Sequence, residues 1–322
     1  MFHYDRGLKI TSIDLAVDFR RRQPRGFVSH AHTDHMAAHE LAYCTPATAA
    51  LYQHRLGRRP VQLMPFGQPL NWGEVRLTAL PAGHVLGSAM LLVEAQDQRL
   101  LYTGDFKLGV SATAEQASPP KADILVMEST FGDPKYRLPP RAAVVACLLK
   151  IVRDALADGA TPVIQAYTLG KSQEVTKILT TAGIRVLQHP LIHEVSQVYQ
   201  SQGCDLGNCH LYTPDLIAGC AVIIPPISQK AARLRGIERP VTIAVTGWAM
   251  DPAAKYRLRV DHAIPLSDHA DYDELVECVT RVEPQVIYCT HGPASFVDRL
   301  CDLGHNALPL DGARQMRLSF HS

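Results

Sequence analysis

The run Ser29-His30-Ala31-His32-Thr33-Asp34-His35 packs three histidines and an aspartate into six residues, straight after the β-rich stretch 26–29. In an extended segment side chains alternate with period two, so His30 and His32 fall on one side. The turn that follows carries Asp34 and His35 round to a second point. Imidazole and carboxylate are ligands of zinc and manganese, so one loop can serve two adjacent ions. The competing reading is a polar helix N-terminus with Asp34 near its first turn.

Two further residues suit the same chemistry. His84 lies in Pro81-Ala-Gly-His-Val-Leu-Gly-Ser, a glycine-flanked turn after a strand pattern, and Asp105 directly follows another in Leu101-Tyr-Thr-Gly-Asp-Phe. A carboxylate can bridge two metals about 3.5–4 Å apart. Glu128, His269 and His291 have similar placement: Glu128 after 124–127, His269 in Leu266-Ser-Asp-His-Ala-Asp, and His291 after 286–290. In open α/β sheets sites assemble at the carboxyl ends of strands. Taken singly, Glu128 and His269 could equally be helix-cap residues.

Composition narrows the class. The chain has 322 residues and a net charge of +1, so no global field draws it to nucleic acid or membrane, and an anionic substrate needs local cations or metal ions. Fifteen histidines are about twice ordinary usage. The eight cysteines form no Cys-x-x-Cys pair, and Cys204, Cys209 and His210 lack the second pair a zinc site needs. The start, MFHYDRGLKI, shows no apolar signal core, and the longest apolar run, 216–227, is broken by Pro225 and Pro226. The expectation is a soluble, cytoplasmic protein with free thiols and no membrane association.

Short β runs alternate with helical patterns, so the expected class is α/β. Strands are expected at 26–29, 75–80, 89–94, 99–103, 124–128, 162–166, 222–224, 241–245 and 286–289. Helices are expected at 141–158, 171–181, 192–202 and 271–282. In the first helix Val144, Val145, Leu148, Leu149, Val152 and Leu156 recur at helical spacing and belong to the core. Hairpin-like strands precede residue 132 and helix–strand alternation follows it. The final stretch is too small to bury much alone, so 1–132 and 266–322 are expected to form one domain, with 133–265 inserted.

In order, HAHTDH, PAGHVLGSA and YTGDF resemble the metal motifs of the metallo-β-lactamase fold. VMESTFG, PLSDHAD and YCTHG resemble the three added motifs of its β-CASP nuclease branch, and YTLGKSQE and TGWAM are similar to segments between them. The resemblance covers nearly the whole chain and is nearest to bacterial ligase-associated DNA exonucleases. It implies an αββα sandwich with an inserted β-CASP α/β domain, and two divalent ions, Zn2+ or Mn2+. By the same resemblance, His30, His32 and His84 hold one ion, Asp34, His35 and His291 the other, and Asp105 bridges them. His269 would face the leaving oxygen, with Glu128 orienting it.

The implied activity is phosphodiester hydrolysis, as a 5′-to-3′ DNA exonuclease in repair, with a DNA ligase and a helicase of the same pathway as partners. The alternatives are an RNA-processing ribonuclease of the same branch and a non-catalytic scaffold. The stretch TSIDLAVDFRRRQPR departs from the wording of the ligase-linked group, and histidine at 291 is shared by DNA- and RNA-processing members. In the expected mechanism Asp34 aims the attacking hydroxide, and His269 protonates the leaving oxygen.

Substrate grip calls for local cations. Arg20, Arg21, Arg22 and Arg25 cluster before the metal loop; Lys230, Arg233, Arg235 and Arg239, then Lys255, Arg257 and Arg259, cluster in the insertion. Lys171, at a helix start, is a candidate contact for a terminal phosphate, with Ser129 and Thr130 behind it. Phe131, Tyr136 and Trp248 are stacking candidates that the core is expected to claim.

Overall fold

The computed structural model describes residues 2–4, 7–226, 237–251 and 253–310. It divides into two compact units. One comprises the chain up to Val110, Ala114–Pro134 and the chain from His269 onward; the other comprises Ser111–Thr113 and Lys135–Asp268.

The first unit is built on two sheets. The six-stranded sheet runs, in spatial order, Phe2–Tyr4, Leu8–Ile10, Leu15–Val17, Arg25–Phe27, Leu41–Cys44 and Val61–Leu63, parallel from the third strand on. The seven-stranded sheet runs Ala307–Pro309, Val286–Thr290, Ile124–Glu128, Gln98–Tyr102, Ala89–Ala95, Val75–Pro81 and Pro69–Trp72. Its first four strands are parallel and the rest antiparallel.

Alternation along the strands decides the layers. Ile10, Leu15, Val17 and Phe27 from one sheet meet Leu77, Leu91, Val93, Leu100 and Val126 from the other in a continuous core. The opposite face of the second sheet, with Leu101, Leu125, Met127 and Ile287, buries against Leu275, Val279 and Val282 of helix Tyr272–Val282 and Phe296 and Leu300 of helix Ala294–Asp302. Outside the first sheet lies helix Pro46–Leu56, which packs on Val61–Leu63 and is capped by the Thr45 side chain with proline at its first position. The result is the αββα sandwich.

The second unit is an all-parallel α/β domain. Its strands lie in the order Cys209–Leu211, Arg185–Gln188, Cys220–Ile224, Thr161–Gln165, Pro240–Val245 and His262–Ile264. Cys220–Ile224 is buried at every position, as a parallel strand covered on both faces must be. Helix Arg141–Ala157 buries Val144, Leu148 and Val152; Val145, Leu149 and Leu156 flank that stripe and are only partly covered.

Among the elements that escape the sequence reading are three strands at the start, helix Pro46–Leu56 and helix Ala294–Asp302. The strands are three residues each, too short to display alternation. Helix Pro46–Leu56 buries mostly small residues, including Ala47, Thr48 and Ala49, and lacks a clear apolar stripe. No helix among the described residues is long and apolar enough to cross a membrane.

Candidate metal centre

The site grows from strand ends. Strands Gln98–Tyr102, Ile124–Glu128 and Val286–Thr290 are adjacent and parallel, with Glu128 in register with Thr290, so Asp105, Glu128 and His291 leave the same edge. In the other sheet Leu15–Val17 and Arg25–Phe27 are likewise parallel neighbours, which brings Asp18 beside the loop 29–35. A hydrogen bond from the Ala89 N–H to the Ser29 carbonyl, 2.9 Å, ties that loop to the second sheet. Two guanidiniums hold the loop from outside: Arg20 donates to the Asp34 carbonyl at 2.9 Å and Arg55 to the Ala31 carbonyl at 2.7 Å.

Asp105 is the hub. Its Oδ2 lies 3.3 Å from His35 Nε2, 3.5 Å from His30 Nε2 and 3.9 Å from His84 Nε2, while its Oδ1 lies 3.9 Å from His291 Nδ1. His32 presents Nδ1 to His30 Nε2 at 2.9 Å and to His84 Nε2 at 3.1 Å. The metal-capable groups among the described residues include His30, His32, His84 and Asp105, and His35, Asp105 and His291. Ring nitrogens crowded to this separation disfavour protonation of one another, and the neutral rings turn lone pairs to a common point where a cation is attracted. The donor set therefore fits divalent metal.

A further layer fixes the rings. Ser29 Oγ sits 3.0 Å from His30 Nδ1, and Asp18 Oδ2 sits 2.8 Å from His35 Nδ1, which leaves each Nε2 turned to Asp105. Asp18 also accepts from the Ser29 N–H at 2.7 Å, the Ser29 hydroxyl at 2.5 Å and the Tyr102 hydroxyl at 2.8 Å. The sequence reading missed Asp18. Its signal was an acid directly after an apolar run, the placement that marked Asp105.

Burial and charge set the protonation pattern. Burial, then the neighbouring rings of His35, His32 and His84, hold His30 well below the ordinary imidazole value. Burial alone would lower His35 too, but the Asp105 and Asp18 carboxylates override it and hold His35 well above that value. Burial opposes the charged form of Asp105, yet His35, then His269, keep it well below the usual carboxylate range.

Asp34 stands apart from these groups. Its side chain is 55% exposed, with Oδ2 3.9 Å from His35 Nε2 and 4.0 Å from an Arg20 nitrogen. His291 lies in the left-handed region at φ 58°. A Cβ on the next residue, Gly292, would stand 2.0 Å from the Ser129 carbonyl oxygen, so only glycine fits there.

Beside the hub, His269 Nδ1 lies 2.9 and 3.1 Å from the two oxygens of Glu128. Glu128 is buried, accepts the Phe106 N–H at 2.8 Å and accepts the Thr130 hydroxyl at 2.5 Å. His269 does not cap the following helix; Asp271 does, in a reciprocal pair with Glu274.

The candidate phosphate contacts are placed differently from expectation. Lys171 is buried, its Nζ 3.4 Å from both Glu174 and Asp268, and Glu174 also holds Arg141 at 2.6 Å. Its charge is committed to carboxylates rather than displayed. The Ser129 hydroxyl is buried on the Thr290 carbonyl at 3.1 Å, and Thr130 serves Glu128. Phe131 is core, edge-on to His269, whereas Trp248 is 43% exposed instead of buried. Lys230, Arg233 and Arg235 lie outside the described residues. Among those described, no metal-capable group contains cysteine, and all eight cysteines are free.

Comparison with known proteins points the same way. Residues 255–309 match the family described as a Zn-dependent metallo-hydrolase RNA specificity domain. The chain is 38% identical, over 99% of its length, to a probable DNA ligase of Opitutus terrae, of which it spans only 32%. It is 31% identical to the 5' exonuclease Apollo of Gallus gallus, over 94% of this chain and 68% of that one. A solved structure of a protein of unknown function from Enterococcus faecalis V583 superposes with a TM-score of 0.58 at 15% identity, over 83% of this chain and 75% of that one, a likeness of fold alone.

Proposed function

We propose that this chain, which belongs to the metallo-β-lactamase-fold β-CASP nucleases and so to a family of metal-dependent phosphodiester hydrolases, is a DNA exonuclease that digests from the 5′ end and serves in repair. The observation that carries the chemistry is Asp105, one oxygen among His30, His35 and His84 and the other toward His291. His30, His32, His84 and Asp105 would hold one Zn2+ or Mn2+ ion. His35, His291 and the second oxygen of Asp105 would hold another, with Asp34 as a donor on its open side. Bound ions supply an acidified water and positive charge opposite the phosphoryl oxygens.

The remaining work falls to side chains. Asp34 accepts a hydrogen bond from the attacking water and aims it in line with phosphorus. Glu128 fixes the His269 ring at Nδ1, and the other nitrogen hands a proton to the leaving 3′-oxygen, which is a poor leaving group as an alkoxide. The 5′ polarity and DNA preference are supported by the exonuclease and ligase relatives, and the ligase match supports a working link to a DNA ligase. The eight free thiols fit a reducing, cytoplasmic setting.

One observation favours an RNA substrate: the description of the family matched at 255–309. Matched DNA and RNA oligonucleotides, end-labelled and incubated with manganese-loaded protein, separate the two. Stepwise loss from the DNA 5′ end supports the proposal; consumption of RNA alone contradicts it.

A further inference from the structure

The second unit carries an aromatic surface with cations on it. Trp248, in the turn Gly247–Met250, meets Tyr136 edge-on with ring centroids 5.3 Å apart. The Lys135 ammonium lies 5.0 Å from the Tyr136 ring centre. Helix Ala254–Leu258 packs against that turn and presents Tyr256, 72% exposed, with the Lys255 ammonium 4.9 Å from its ring centre. At the same place Arg257 holds Asp251 at 2.6 Å, and Lys135 also acts on Asp251.

A lone exposed ring is ordinary, but neighbouring exposed aromatics rimmed by charge mark an interaction site. Protein interfaces favour tryptophan, tyrosine and arginine but are depleted in lysine. Sites for unpaired nucleic acid combine aromatic rings with lysine and arginine, because every base has a face to stack and every link a phosphate to neutralise. We infer that Trp248, with Tyr136, Lys135 and Tyr256, forms a stacking site for unpaired nucleotides of the substrate strand. This rests on the nuclease reading above and adds to it a position on the second unit.

The chain has two tryptophans, so Trp72→Phe leaves Trp248 as sole reporter. Full-length, chelator-treated W72F protein is titrated with a single-stranded thymidine oligonucleotide of about 12 nucleotides. The expected result is quenched tryptophan emission, with affinity falling as salt rises. Trp248→Ala should weaken binding about five- to hundredfold, and Lys135→Glu should weaken it and flatten the salt dependence. Should W248A not fold by circular dichroism, Trp248→Phe gives the intermediate loss expected of a smaller ring. The inference is overturned if wild type cuts and binds the oligonucleotide while Trp248 emission is unmoved and W248A binds as tightly. It is equally overturned if W248A leaves binding intact and abolishes self-association in sedimentation, which marks a protein interface. If wild type neither binds nor cuts any oligonucleotide, the nuclease reading fails, and the inference with it.

Discussion

Glu128 grips His269 at Nδ1 with both carboxylate oxygens, at 2.9 and 3.1 Å, and is itself anchored by the Phe106 N–H and the Thr130 hydroxyl. A buried carboxylate so held sets the orientation of the ring and decides which nitrogen exchanges protons. His269→Ala should therefore keep its metal and lose about 10²–10⁴ in turnover. Glu128→Gln should keep metal and lose about 10–100-fold, since the ring loses its charged partner but not its place. Metal content beside turnover is the check; unchanged turnover in H269A contradicts the acid role.

Asp18 does for His35 what Glu128 does for His269, through Oδ2 at 2.8 Å. Asp18→Asn should weaken metal binding about 10–100-fold, measured by competition with a chromophoric chelator. An affinity equal to wild type would show that the contact is incidental.

The protonation pattern gives a pH prediction for metal-free protein. His35 is raised, so its proton contributes stability fully below the ordinary value of about 6.5, and that contribution is lost as pH climbs through the raised value. His30 is lowered, so its contribution is present above about 6.5 and is lost as pH falls. At pH 7, metal loading should thus release about one proton, from His35 rather than His30. Calorimetry in two buffers of different ionisation enthalpy counts it; no release contradicts the assignment.

Burial pushes the thiols of Cys44, Cys278 and Cys289 up to about 12. Cys147 and Cys301 are exposed. Iodoacetamide at pH 8 should label the exposed pair in folded protein and the other three only after unfolding, read by peptide mass spectrometry.

His30, Asp105 and His291 were legible because each comes at the end of an apolar run, His35 because it shares the loop with His30, and adjacent parallel strands deliver their ends to one edge. Asp18 also follows an apolar run, but that strand is only three residues long and shows no period, so the run did not stand out. The burial of Lys171 was not legible either. A lysine opening a helix after glycine reads as a candidate phosphate contact, and the structure buries it between Glu174, one turn along the same helix, and Asp268, nearly a hundred residues away. The local partner was visible at i+3 spacing; the distant one is a product of tertiary packing. Trp248 reversed the usual rule for tryptophan, which is exposure where burial is the norm.

The central claim is that Asp105 joins two ion sites. The direct measurement is metal content by inductively coupled plasma mass spectrometry after chelation, reloading with zinc or manganese, and gel filtration. The account predicts about two ions per chain for wild type and fewer than about one for Asp105→Ala that is folded by circular dichroism. A wild-type protein that cuts nucleic acid with no bound ion, or an Asp105→Ala protein that keeps both, would contradict it.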